Sequence, residues 1–378
     1  MSFGFSFVLP FMTAFFVSLL CTPLAIKIAP KIGAVDIPKD ARRMHTKPMP
    51  RFGGIAIFLG TIAALFVSLY VALPAIVQYL PDGEPIEKMF ALLAGGTLIY
   101  FVGIVDDLRG LPPKVKFLLQ IICASVVFAA GIRISFITNH FGDGHGYLPF
   151  VISYFVTVLW IVGITNTINL IDGLDGLAAG VAAVASFAIA YTAYIHGMYT
   201  VTMAMLACAG GALGFLPFNF YPAKIFMGDA GSLFLGFMLA AVSIIGPVKG
   251  ATILATVVPV LVLGVPIFDT AFAIFRRIIN KRPIMEADKG HLHHRLMAAG
   301  MGQRRSVLTL YGISAIMSVA AILFSRDLFL ESAGLFLIAG NFIYIFLTDA
   351  KNVIPQLKME DKTKEVHRKN KKHKKKRK

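Results

Sequence analysis

Long apolar runs dominate this chain and restrict what it can fold into. Residues 3–28, 52–73, 89–105, 115–131, 150–165, 177–196, 199–217, 231–248, 250–275, 306–324 and 330–348 are each almost wholly apolar. A helix needs about 20 such residues to cross a hydrocarbon core, and only helices or closed barrels satisfy their backbone groups there. The eleven runs predict an all-α, polytopic integral membrane protein with about 11 transmembrane helices. Composition agrees, with 57% hydrophobic and 15% charged residues against about 45–50% and 25% in soluble domains. The first run has no basic residue ahead of it and no small-residue cleavage pattern, so it reads as a retained span rather than a signal peptide.

Lysine and arginine set the expected orientation, because they gather on the cytoplasmic side. Segment 29–51 carries Lys31, Lys39, Arg42, Arg43, Lys47 and Arg51, and segment 276–305 carries eight basic residues. Both are expected inside, with the N-terminus outside and the C-terminus inside. Residues 1–350 then form one polytopic membrane domain with cytoplasmic loops at 29–51, 106–116, 165–176, 218–231 and 276–305, followed by a basic tail at 351–378. The formal charge of +16 is concentrated in that tail. Such a run reads as a solvated, disordered end drawn to anionic membrane lipids. It lacks the stacking aromatics of a nucleic-acid site, so no nucleic-acid partner is expected. Three scattered cysteines, Cys21, Cys123 and Cys208, give neither a disulfide framework nor a metal site.

Nearly every carboxylate, amide and histidine that could do chemistry falls on the predicted cytoplasmic side; His140, Asp143 and His145 read as an outer glycine-turn loop. Asp106 and Asp107 end one run; adjacent carboxylates repel unless a cation neutralises them, and Arg109 is the plain counter-charge. "NTINLIDGLDG" spaces Asn166, Asn169, Asp172 and Asp175 three apart, a stripe that suits either a ligand site or a polar seam between helices. Asp229 lies between glycines in "FMGDAGS", as a hard oxygen ligand for Mg²⁺ or as a helix cap. "GHLHHRL" offers His291, His293, His294 and Arg295; the spacing is poor for zinc on one helix but suits phosphate oxygens, or a basic loop.

Together these motifs resemble the polyprenyl-phosphate N-acetylhexosamine-1-phosphate transferases, over residues 20–300. The similarity is carried by "RRMHTKPMPRFGG", "GIVDDLRGL", "TNTINLIDGLDGL", "YPAKIFMGDAGSLFLG", "PIFDTAFAIFRR" and "ADKGHLHHRL". It looks closest to the branch that starts teichoic acid, O-antigen or similar surface glycans at the bacterial plasma membrane, with the active site on the cytoplasmic face. The peptidoglycan relative has consecutive histidines where this chain reads His-Leu-His-His-Arg, which argues against a muramoyl-pentapeptide donor.

The resemblance implies transfer of N-acetylglucosamine 1-phosphate from UDP-GlcNAc to undecaprenyl phosphate, with UMP released. It implies Mg²⁺, or Mn²⁺ in its place, held by Asn169 and Asp229. Asp106 and Asp107 match the pair proposed to engage the lipid phosphate, and Asp172, His291, His293, His294 and Arg295 complete the catalytic set. Asp175, Asn219 and Phe226 fall at positions that contact the UDP moiety, while His45 and Arg51 share the same mouth. A homodimer is the candidate assembly. Two rivals are a secondary transporter and a lipid-binding scaffold. The first expects acids near the midplane in repeated halves, which this chain lacks; the second leaves the histidine segment unexplained.

Overall fold

The computed structural model describes residues 3–37, 48–77, 80, 86–138, 145–245, 258–279 and 291–345. His45, residues 281–290 and the tail 351–378 lie outside the described residues. Among those described, helices account for nearly all regular structure. They are α1 (Phe3–Ile28), α2 (Gly54–Val67), a π turn (Ser68–Ala72), α3 (Leu73–Ile76), α4 (Ile86–Arg109), α5 (Pro113–Ala129), α6 (Phe150–Ile171), α7 (Leu177–Ile195), α8 (Tyr199–Asn219), α9 (Gly228–Ile244), α10 (Gly264–Ile279), α11 (Leu292–Ala298), α12 (Gln303–Phe324) and α13 (Phe329–Ile345). Two short antiparallel pairings, Val35–Asp36 with Met49–Pro50 and Phe136–Thr138 with His145–Tyr147, are the strands among these residues.

Each predicted apolar run coincides, wholly or in part, with a helix. Among the described residues, seven helices are long and apolar enough to cross a bilayer, the α2 to α3 stretch counting as one, and α9 and α13 are shorter apolar helices. The outer surface is greasy: Phe155, Leu159, Leu20 and Phe101 all stand more than half exposed, as suits side chains facing lipid.

Small residues let the backbones close up. Without hydrophobic drive between helices in lipid, contact at short range supplies much of the attraction. On α8, Gly210 and Gly214 are one turn apart, and a Cβ at either would sit 2.3 Å from the Phe11 or Phe15 carbonyl oxygen of α1. Helix α9 runs through the centre, with Leu233, Phe234, Leu235, Met238 and Leu239 fully buried against its neighbours. Trp160 of α6 donates its indole N–H to Ser243 of α9 at 3.0 Å, satisfying the one polar atom of that ring.

The first turn of α9 is gripped from two sides. A Cβ on Gly54 of α2 would lie 2.3 Å from the Gly231 nitrogen, and one on Gly103 of α4 would lie 2.3 Å from Ala230 Cα. The segment before α2 runs beside the entry to α9: Phe226 donates its N–H to the Pro50 carbonyl at 2.8 Å, and Gly53 and Gly54 donate to Phe226 and Met227 at 3.0 and 2.8 Å. These contacts bring Arg51 and Asp229 together from distant parts of the chain.

Gly103→Ala is therefore expected to lower the thermal midpoint in detergent, since overpacking a tight contact costs about 1–3 kcal/mol. Gly163→Ala on α6, where a Cβ meets nothing within 4 Å, should leave it unchanged or raised. Equal behaviour of the two variants would contradict the close approach.

Candidate active site

Asp106 and Asp107, adjacent in sequence, have different surroundings. The first turn of a helix leaves N–H groups without partners and carries partial positive charge. Asp107 meets both needs for α9: its Oδ1 accepts the Asp229 N–H at 2.8 Å and its Oδ2 the Ala230 N–H at 2.9 Å. Its side chain is sealed from solvent and also pairs with Arg51 Nε at 3.0 Å. Gly228, at φ +73°, allows this seat, because a Cβ there would lie 2.6 Å from Asp107 Oδ2. Asp106 instead accepts the Leu111 N–H through Oδ1 at 2.7 Å and turns Oδ2 to Lys116 at 2.9 Å.

Three oxygens converge on the Lys116 ammonium. Asp106 Oδ2 lies 2.9 Å from Nζ, Asp229 Oδ2 3.2 Å and Asn169 Oδ1 3.3 Å. The Asn169 amide is oriented by its other end, which donates to Asp229 Oδ1 and Ser232 Oγ, each at 2.8 Å. Arg51 Nη2 also reaches Asp229 Oδ2, at 3.0 Å. One turn along, Gln120 of α5 and Asn166 of α6 exchange amide hydrogen bonds, fixing the register that delivers Lys116. Sequence reasoning missed Lys116. Its signal was the spacing of Lys116 and Gln120, four apart on one face of a mostly apolar helix.

Asp172 stands at the C-terminal end of α6, with Asp175 one short turn further. Burial first, then the nearby Asp229 charge, pushes the Asp172 pKa from 3.8 to about 7 against the pull of Arg51. Burial would lower the Arg51 pKa, but attraction to Asp229, Asp107, Asp172 and Asp106 outweighs it and holds the value above normal.

Asp175 and Asn219 serve the loops in this structure. Asp175 Oδ2 accepts the Ala223 N–H at 3.0 Å. The buried Asn219 amide accepts the Gly176 N–H at 3.1 Å and donates to the Ile225 carbonyl at 2.9 Å. Tyr311 of α12 donates to the Gly176 carbonyl from the other side, and Gly180 leaves room for its ring, which a Cβ would strike at 2.0 Å. Phe226 is held by its backbone and its ring is half-buried.

The histidine segment docks against the "DGLDG" turn. His293 is buried, its Nε2 has no hydrogen-bond partner, and a Cβ on Gly173 would come within 2.8 Å of that atom. Burial first, then His294, pushes the His293 pKa down to about 3, so the ring is neutral. His291 and His293 lie parallel at 5.8 Å, and His294 lies 4.3 Å from His293. Arg295 extends over the Phe272 ring of α10 at 5.1 Å. Of the predicted site residues, only His45 lies outside the described structure.

Residues 89–247, which hold the acidic cluster, match the family described as "Glycosyl transferase family 4". The chain is 44% identical over 316 residues to a protein of Bacillus subtilis (strain 168) named "Probable undecaprenyl-phosphate N-acetylglucosaminyl 1-phosphate transferase", covering 83% of this chain and 84% of that one. It is 37% identical to "Decaprenyl-phosphate N-acetylglucosaminephosphotransferase" of Mycobacterium tuberculosis (strain ATCC 25618 / H37Rv), over 87% of this chain and 86% of the relative. A "Phospho-N-acetylmuramoyl-pentapeptide-transferase" of Streptococcus equi subsp. zooepidemicus (strain MGCS10565) is 31% identical, over 61% and 70% respectively.

A raised carboxyl pKa means that the folded chain holds a proton the unfolded chain has lost. Between the ordinary 3.8 and about 7, stability then falls as pH rises. In protein stripped of divalent cations, Asp172→Asn should melt close to the native chain near the lower limit. It should melt progressively higher than the native chain as pH climbs toward the upper limit, and the difference should level off above it. A pH-independent difference between the two would show that Asp172 is not penalised by its surroundings.

Proposed function

Since the chain belongs to glycosyl transferase family 4, we propose that it transfers N-acetylglucosamine 1-phosphate from UDP-GlcNAc to undecaprenyl phosphate. An oxygen of the lipid phosphate bonds to the β-phosphorus of the donor, the anhydride bond to the α-phosphate breaks, and UMP leaves with the bridging oxygen. The product, undecaprenyl-PP-GlcNAc, would begin a lipid-linked surface glycan such as teichoic acid or O-antigen. The observation that carries this reading is the set of three oxygens around one cation at the first turn of α9, with Arg51 beside it.

Donor chemistry decides whether magnesium suits this place. Among the described residues no three His, Cys, Asp or Glu side chains form a metal group by themselves. Asp106, Asp229 and Asn169 nevertheless already surround a cation, the Lys116 ammonium, with two carboxylate oxygens and one amide oxygen. That fits Mg²⁺, which takes one or two carboxylates and completes its shell with phosphate and water. Asp229 and Asn169, with Asp106, would hold it, and Mn²⁺ could replace it. When bound, the ion supplies charge neutralisation on the transferring phosphates.

The remaining groups act on a reaction between two polyanions, where positioning and electrostatics supply most of the catalysis. Arg51 and Lys116 place two positive charges on non-bridging oxygens. Asp107 keeps the first turn of α9, and with it Asp229, in place. Of the two adjacent aspartates, Asp106 is the one with an oxygen turned to the reacting region. The His291, His293, His294 and Arg295 segment lies against the turn that bears Asp172 and Asp175, on the donor side. The relatives' names and the His-Leu-His-His-Arg spelling favour an N-acetylhexosamine donor over a muramoyl peptide. The acceptor is a lipid and the donor is soluble, so the site belongs at the cytoplasmic surface of the bacterial plasma membrane.

Purified protein with undecaprenyl phosphate and Mg²⁺ should release UMP from UDP-GlcNAc, and Asp229→Asn or Asn169→Ala should lower that rate by about 100-fold or more. Faster release from the UDP-muramoyl-pentapeptide donor would move the assignment to the peptidoglycan reaction; native rates in both variants would refute the metal assignment. A cysteine replacing Lys31 in a cysteine-free chain should resist an impermeant thiol reagent on intact cells and react once they are opened. Labelling of intact cells would reverse the proposed sidedness.

A further inference from the structure

Asp269 lies on α10, outside the acidic cluster, and the residue is 6% exposed. Both of its oxygens are used on the histidine segment. Oδ1 accepts the Leu292 N–H at 2.7 Å, and Oδ2 meets His291 Nδ1 at 3.0 Å. His291 is equally buried.

We propose, on the basis of the phosphoryl-transfer reading, that Asp269 is a positioning residue of the reaction: it holds the His291 ring so that Nε2 alone is presented to the donor's phosphates. A carboxylate accepts hydrogen bonds and cannot donate them, so Nδ1 must carry the proton in this pair. Any contact that His291 makes with substrate then goes through Nε2. The Leu292 N–H keeps the carboxylate from rotating, which denies the ring a second orientation.

The far side of the segment is fixed as well. The His293 ring lies parallel to His291, inclined by only 3°, and abuts Gly173 in the turn between Asp172 and Asp175. The segment therefore spans from Asp269 on one side to the donor-side turn on the other. Holding one ring nitrogen ready at a pyrophosphate removes ordering cost from the reacting complex.

The test uses the full chain labelled with ¹⁵N-histidine, with His291→Asn assigning the His291 signal. Long-range ¹H–¹⁵N correlation reports which ring nitrogen is protonated. In the native protein Nδ1 of His291 should carry the proton. Asp269→Asn keeps an oxygen for Leu292 but turns an N–H toward the ring, so Nδ1 should lose its proton. With it, kcat for UMP release should fall by about tenfold or more while KM for UDP-GlcNAc stays within about twofold. Asp269→Glu restores a carboxylate and should keep kcat within about threefold of native and retain the native tautomer.

An unprotonated Nδ1 in the native spectrum overturns the proposal whether or not any variant folds. So does an Asp269→Asn protein with native kcat, or one in which kcat, KM and thermal midpoint fall together. A native enzyme that releases no UMP from UDP-GlcNAc would refute the functional reading instead, and the tautomer measurement would still decide the part played by Asp269.

Discussion

The site depends on how negative charge is held at the first turn of α9. The Asp107 side chain is buried and bonded to first-turn N–H groups that have no partner within the helix, so its charge is spent on the helix terminus and on Arg51. With the turn fixed, Asp229 and Asn169 share a hydrogen bond and their remaining oxygens face Lys116, as does Asp106. Four carboxylates with two cations among them leave the cluster short of positive charge, and burial first, then the Asp229 charge, raises the Asp172 pKa. Under the proposed function, a divalent cation and a polyanionic substrate together would complement such a place.

The surrounding fold is built to keep that turn still. Gly54 and Gly103 let two helices press against it, and the buried length of α9 locks it into the centre of the molecule. Beyond the acidic cluster, the loops that bear Asp175, Gly176, Asn219 and Ala223 are tied to each other, and Tyr311 pins them from α12. The surface proposed to face the donor is thus backbone held by buried polar groups. Catalysis by positioning needs groups held in place.

Much of this was legible in sequence because the controlling signals were local. The apolar runs gave helices wherever the structure describes them, and "NTINLIDGLDG" and "FMGDAGS" gave two sides of the cluster. The division of labour between Asp106 and Asp107 was not legible. Adjacent helical residues point about 100° apart, so each meets a different neighbour, and those neighbours come from α5 and α9. Lys116 was overlooked for the same reason: a lysine at the start of an apolar helix reads as an anchor until the fold shows which oxygens it reaches. The resemblance placed Asn219 at a ligand contact; that its amide also closes two loops depends on tertiary approach and could not be read locally.

The central claim is that Asp106, Asn169 and Asp229 form one cation site, which Lys116 fills with its own charge in the absence of metal. Mn²⁺ binding to the purified protein, followed by electron paramagnetic resonance, tests it without turnover. The account predicts a bound ion whose affinity drops by about tenfold or more in Asp229→Asn, and is retained or strengthened in Lys116→Met, where the competing ammonium is gone. Mn²⁺ affinity indifferent to Asp229→Asn, or abolished by Lys116→Met, would contradict it.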